Sequence, residues 1–300
     1  MKSILVHSVP CTLHPKPCAV IECNLLAVEL GGVCTFGNGS LIFPSRYSKR
    51  EFMKDVVALV LAAGKGTRMY SDLAKVLHPI CGRPMLSYTL IAVEELGFDR
   101  VLVVVGHQAE RIQEVFAEAQ VEWVLQSQQL GTAHAVQCAL PHLTDHGGSV
   151  LICCGDTPLL TAETLRMFQV EHTNRGADLS VLSMLLDEPG SYGRVVRDSG
   201  GEVSAIVEAK DANEQERTIR EVNTGIYCAS ADLLRAVLPN VENTNVQGEY
   251  YLTDVVEMAA GQGWNVQAVT ASDPIEFMGV NTNEELEAAE RLIAERAQPE

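Results

Sequence analysis

Three hundred residues, 47% hydrophobic and 20% charged, allow one large or two modest globular domains and exclude a chain disordered over most of its length. A formal net charge of −17 argues against non-specific nucleic-acid binding, which needs clustered Lys and Arg, and no apolar run reaches the roughly 18 residues of a membrane span. Nine cysteines, an odd number with no CxxC pair and no export signal, read as free thiols of a cytoplasmic protein.

Residues 1–52 carry a net +2 against −19 for the remainder, and hold Cys11, Cys18, Cys23 and Cys34. They show Pro, Gly and Ser punctuation without a sustained period, which predicts a poorly ordered, dispensable extension before one domain over 53–300. Val56–Ala63 is a short, β-branched apolar run and reads as a buried strand. Apolar residues at helical spacing follow over Pro84–Leu96, with Gly97 placed to end that helix. The alternation continues with a strand at Val101–Val105, a polar helix over Gln108–Ala119 and a strand at Val121–Leu125. A helix over Thr132–Leu140, a strand at Ser149–Cys154 and a helix over Thr161–Asn174 complete it. Such alternation predicts parallel βαβ units and an α/β, doubly wound, Rossmann-like sheet, mixed but mainly parallel. Asp178–Leu185, Val203–Val207 and Arg220–Cys228 read as strands with little helix between them, hence a smaller mixed or antiparallel subregion. Glu284–Ala297 reads as a closing helix.

The most informative segment is Leu61-Ala62-Ala63-Gly64-Lys65-Gly66-Thr67-Arg68-Met69, directly after the first strand. Two glycines among small residues let the backbone approach a ligand and turn its N–H groups toward anions. The segment matches neither the phosphate loop of ATPases nor the dinucleotide fingerprint, so ATP hydrolysis and hydride transfer lose support. Arg68 and Lys75 are spaced to flank the same phosphates, one as a planar fork of donors and the other as a mobile point charge. The eight histidines form no obvious triad and read as surface or structural residues.

Further motifs follow in order. They are Lys75-Val76-Leu77 with Gly82-Arg83-Pro84-Met85, Gln126 with Gln129-Leu130-Gly131-Thr132-Ala133, Gly155-Asp156-Thr157-Pro158-Leu159 and Tyr192-Gly193-Arg194. After them come Ile206-Val207-Glu208, Glu221-Val222-Asn223-Thr224-Gly225, Gln247-Gly248-Glu249-Tyr250-Tyr251 and Gly279-Val280-Asn281. Together they resemble the uridylyltransferase domain of the bacterial bifunctional N-acetylglucosamine-1-phosphate uridylyltransferase/glucosamine-1-phosphate acetyltransferases, from about Asp55 to about Asn283. The resemblance implies a nucleotide-diphospho-sugar transferase fold with a small sugar-binding subregion. It implies transfer of UMP from UTP to N-acetylglucosamine 1-phosphate, with Mg²⁺, in the supply of cell-wall precursor. No hexapeptide-repeat region is present, so acetyl transfer is not expected, and the oligomeric state is open because the trimerising β-helix has no counterpart here. The nearest alternatives are uridylyl transfer to another sugar 1-phosphate, a cytidylyl transferase, and a regulatory homologue without activity.

In-line nucleotidyl transfer asks for cations, backbone donors and a metal, with no covalent nucleophile. Asp156, just past a strand end, is a hard oxygen ligand suited to Mg²⁺, and the resemblance adds Asn281 as the second. Arg68, Lys75 and Asp156 are therefore the catalytic candidates. The resemblance puts Leu61, Ala62, Ala63 and Gly64, with Gln126, Gly131 and Thr132, around the uridine. It puts Cys154 and Gly155 beside Asp156, where relatives often carry an aromatic residue in place of Cys154. Gly193, Glu208 and Asn223 correspond to the sugar pocket, where Glu208 and Asn223 can meet hydroxyl and acetamido groups. Taken alone, Asp156 could instead cap the following helix, and Asn223 with Gly225 could form a simple turn.

Overall fold

The computed structural model describes residues 55–296, and the extension predicted over 1–52 lies outside them. The first half of the domain runs β1 (Val56–Ala62), a two-strand ribbon of β2 (Pro79–Ile80) and β3 (Arg83–Pro84), α1 (Met85–Leu96), β4 (Arg100–Val105) and α2 (Ala109–Val115). It continues through β5 (Glu122–Leu125), α3 (Thr132–Ala139), β6 (Ser149–Cys154) and α4 (Ala162–Asn174). The second half holds β7 (Leu179–Leu185), β8 (Arg194–Arg197), β9 (Val203–Val207), β10 (Glu221–Ser230) and α5 (Ala231–Val237). It ends with α6 (Asp254–Gly261), β11 (Val266–Thr270) and α7 (Asn283–Arg296). Among the described residues, no helix is long and apolar enough to cross a membrane.

The main sheet has the order β11-β7-β10-β6-β1-β4-β5. Neighbours β6, β1, β4 and β5 are parallel, as are β7 and β11. β10 is inserted antiparallel between β6 and β7. The continuous apolar runs of β1 and β4 fit strands covered on both faces. Val57 and Leu59 of β1 share one core with Leu102, Val104, Ile152, Val181 and Tyr227 of the neighbouring strands. The chain moves outward from β1 to β4 and β5, then returns across β1 to β6. That reversal opens a crevice at the carboxyl ends of β1 and β6, where ligands bind in open α/β sheets.

β8 and β9 form an antiparallel flap that joins the main sheet through the pairing of Arg194 with Val222 of β10. At the opposite end of the chain, Ala289 of α7 packs with Met69, Ile80, Met85 and Val280. This second core holds the segment before α7 close to the loop after β1.

The predicted mixed sheet is therefore present, with differences at short elements. The period over 108–119 predicts a longer helix than Ala109–Val115. Ile112 is the one buried residue of that helix, so little apolar face is available to extend it. It starts after Gln108, whose backbone is left-handed (φ 55°) and whose side chain accepts from Ala74 N–H at 3.0 Å and donates to Asp72 O at 2.7 Å. β8, β11, α5 and α6 span four to eight residues each and go unpredicted.

Candidate functional site

The loop after β1 carries the glycines, and its geometry explains them. Gly66 has a φ of 69°, in the left-handed region, and a Cβ there would lie 2.6 Å from Cβ of Lys75. A side chain at 66 would thus displace the lysine. Gly64 is exposed with open space around it, leaving its backbone free to meet a ligand. Gly155, after β6, donates to Leu61 O at 2.9 Å. A Cβ on Gly155 would stand 2.9 Å from Leu86 Cδ1 of α1 and 3.3 Å from Ala62 Cβ and Leu61 O, so a larger residue here would crowd the end of β1.

Three sequence-predicted residues converge here. The Lys75 ammonium donates to Asp156 Oδ2 and, at 3.0 Å, to Asn281 Oδ1. Both partners of the ion pair are largely buried, at 13% and 20% side-chain exposure, so the contact is not an ordinary surface pair. Asn281 is brought in by the neighbouring Val280, whose N–H donates to Asp156 O at 2.9 Å. The Asn281 N–H in turn donates to Glu285 Oε2 of α7 at 2.6 Å. Two hard oxygens from distant segments therefore face one cationic group. Asp156 does not cap α4, because Thr161 Oγ1 does so by accepting from Thr164 N–H at 3.2 Å. Arg68 lies exposed on the turn Thr67–Met69 and takes no part in the Lys75 contact.

On the β4–β5 side of the crevice, Gln126 is 2% exposed and donates from Nε2 to Gly131 O at 3.0 Å. Gly131 caps α3 with a φ of 126°, and a Cβ there would sit 2.4 Å from Tyr250 O, too close for any other residue. Thr132 is the first residue of α3. Its hydroxyl accepts from Leu252 N–H at 2.9 Å, which ties the helix to the segment before α6.

On the β10 side, Asn223 donates from Nδ2 to Tyr227 Oη at 2.7 Å and accepts from Gly225 N–H at 2.9 Å. The sheet register shifts between Asn223 and Ile226, so the Asn223–Gly225 turn is a bulge inside β10 rather than a loop before it. The Cys154 thiol points at Gly225 O, 3.7 Å away, between Asp156 and this bulge. Burial and the nearby Asp156 charge push that thiol up, so it stays protonated. Gly193 accepts from Asn223 N–H at 2.9 Å, and a Cβ on it would press on Ile206 at 3.0 Å and approach Glu208 Oε1 at 3.6 Å. Burial raises the Glu208 carboxyl above the usual carboxylate range.

Thr253 was not among the sequence candidates. Its hydroxyl donates to Glu208 Oε1 at 3.2 Å. It lies two residues beyond the Gln247–Tyr251 motif, which was the available signal. Arg194 is also missed. It is buried and donates to Tyr192 O and to Gly190 O, the latter at 2.9 Å, while its Nε has no hydrogen-bond partner among the described residues.

The family model described as MobA-like NTP transferase domain matches residues 58–219. The chain is 50% identical over 240 residues to the bifunctional protein GlmU of Trichlorobacter lovleyi and 49% identical over 239 residues to that of Geobacillus thermodenitrificans, 80% of this chain in both cases. It spans about half the length of these relatives, 52% of each. The fold is also that of a solved UDP-glucose pyrophosphorylase in complex with UDP-glucose, with a TM-score of 0.66 at 15% identity, covering 80% of this chain and 98% of that one. With the match running from the first strand through the β8–β9 flap, the chain belongs to the MobA-like NTP transferase domain family.

Proposed function

We propose that this chain transfers UMP from UTP to N-acetylglucosamine 1-phosphate and releases pyrophosphate. The observation that carries the proposal is the convergence of Lys75, Asp156 and Asn281 at the carboxyl ends of β1 and β6. The Gln126–Gly131 pair lies on one side of that point and the Glu208–Asn223 pair on the other. A phosphate oxygen of the sugar phosphate attacks the α-phosphorus of UTP, and the bond from that phosphorus to the oxygen it shares with the β-phosphorus breaks, so that this oxygen leaves with pyrophosphate. The backbone N–H groups around Gly64 hold the phosphates, and Lys75 follows the charge that gathers on the leaving group. The oxygens of Asp156 and Asn281 already share one cationic partner, so they fit Mg²⁺, which they would hold and whose charge would offset that of the phosphates. With the metal there, Lys75, which pairs with these two oxygens here, would be available to the phosphates. Glu208, Asn223 and Thr253 orient the sugar, and the Cys154 thiol stays protonated beside it as a packing group.

The test supplies UTP and Mg²⁺ with N-acetylglucosamine, glucosamine or glucose 1-phosphate and measures pyrophosphate together with the nucleotide sugar formed. The expected outcome is fastest release with N-acetylglucosamine 1-phosphate. Release with none of the three would overturn the proposal, and release with another sugar would keep uridylyl transfer and move the substrate.

A further inference from the structure

We infer that His134, a residue of α3 outside the assigned machinery, is the positioning residue that makes the nucleotide site choose uracil over cytosine. The inference rests on uridylyl transfer as proposed above and deepens it. An amide side chain can read either base, because its oxygen accepts and its nitrogen donates, and the two ends interchange by rotation. Selection therefore requires that the amide be fixed.

In this fold it is fixed twice. Gln126 Nε2 lies 3.0 Å from Gly131 O and 3.0 Å from His134 Nδ1. A carbonyl can only accept, so Gly131 O holds the nitrogen end of the amide toward itself. The second amide hydrogen then points at Nδ1, which must be the bare acceptor, and the ring proton resides on Nε2. That Nε2 faces the Cys138 sulfur, a weak acceptor 3.9 Å away and one helical turn along α3. The ring also lies beside Tyr250, with centroids 6.3 Å apart. With both hydrogens engaged, Gln126 has only its oxygen to offer. Oε1 accepts from no protein donor among the described residues and is not sealed from solvent.

The neighbouring donors complete the pattern. At the start of α3, Ala133 N–H is taken by Tyr250 O, whereas Gly131 and Thr132 precede the first intrahelical bonds. The crevice wall thus presents an N–H donor next to a fixed acceptor. Uracil offers the complementary edge, a carbonyl at position 4 beside an N–H at position 3. Cytosine reverses both, an amine beside a bare ring nitrogen, and would set donor against donor and acceptor against acceptor. Without the His134 acceptor, one amide hydrogen is released and the amide can tilt its nitrogen end toward the base.

The experiment measures kcat/KM for UTP and for CTP, with thermal shifts in each nucleotide as a readout independent of sugar transfer. His134→Phe keeps the ring volume without the acceptor and is expected to lower the UTP-to-CTP ratio by about tenfold, leaving KM for the sugar phosphate unchanged. His134→Asn, whose Oδ1 can stand where Nδ1 stood, is expected to restore the ratio to within about twofold of the natural one. Equal losses for UTP and CTP in both variants, or an unchanged ratio in His134→Phe, would overturn the inference. Nitrogen NMR of the unaltered protein checks the tautomer directly: a proton on Nδ1 would overturn it whatever the variants do. If the natural chain transfers neither nucleotide to any sugar phosphate, the proposed function fails, while the difference in thermal shift between UTP and CTP still tests His134.

Discussion

The two sides of the crevice are built by different means. On the β1 side the backbone does most of the work, with Gly64 open and exposed, Gly66 in a left-handed turn and the Arg68 side chain in solvent. Its one strongly held side chain is Lys75, bound to Asp156 and Asn281. On the β10 side, two preassembled side-chain pairs stand ready, Asn223 with Tyr227 and Thr253 with Glu208, and Asn223, Tyr227 and Thr253 are each buried. On the proposed function, the contrast follows from what each side would have to recognise. Phosphates carry full charge, so N–H groups and a mobile ammonium suffice over a range of positions. Neutral hydroxyls are distinguished only by groups already desolvated and aimed, because an unmet buried partner is what penalises the wrong ligand. Substitutions on the first side should therefore act on turnover, and those on the second on sugar affinity and stability.

The sharpest test of that division is Asp156→Ala. Turnover is expected to fall by about a hundredfold or more, with a melting temperature close to that of the natural chain, since no core volume is removed. Normal turnover at saturating Mg²⁺ would break the comparison. Next in size, Glu208→Ala is expected to raise KM for the sugar phosphate by about tenfold while the KM for UTP stays near its natural value. Equal effects on both substrates would show that the two sides are not separate.

A smaller effect concerns pH. Burial, aided by Glu257 and Asp211, pushes the Asp254 carboxyl at the start of α6 up to about 6 from 3.8. The folded chain then keeps this proton where the unfolded chain has lost it, so this residue's contribution falls as pH rises from about 4 to about 6. Asp254→Asn removes the penalty. Its melting temperature should match the natural chain's near pH 4 and exceed it above about pH 6, as thermal denaturation across that range would show. The smallest change is expected from residues 53–300 expressed alone, because β1 begins at Val56 and its strand partners all lie within the domain. A large loss of melting temperature or transfer on removing 1–52 would show that this segment contributes to the domain.

What could be read from the sequence follows the range of the interactions involved. The buried strands β1, β4 and β6 and the glycine loop declare themselves within a few residues, by apolar runs and by glycines that no other residue can replace. The Lys75–Asn281 contact spans 206 positions, and only the resemblance, not any local pattern, pairs the two segments. Arg68 and Lys75 look equivalent by spacing, yet the fold holds Lys75 in the crevice and leaves Arg68 on an exposed turn. Asn223 and Gly225 carry a turn signature that is correct locally, but the turn is accommodated as a bulge within a ten-residue strand. His134 reads as a structural residue because no neighbouring histidine or carboxylate marks it. Its importance depends on an amide eight positions earlier whose orientation only the folded chain fixes.

The antiparallel insertion of β10 also has a consequence for how the chain is made. β1, β4, β5 and β6 are all present once Cys154 has left the ribosome, and they can pair at once. β7 follows soon after, but its neighbours in the sheet are β10 and β11, so it has no strand to join until Ser230 has been added. At about 5–20 residues per second this leaves an apolar strand edge waiting for several seconds during synthesis. The nascent chain therefore passes through a stage in which half a sheet is closed and the other half exposes Val181 and Leu182, and holding that edge apart from other chains is a task for its cellular surroundings.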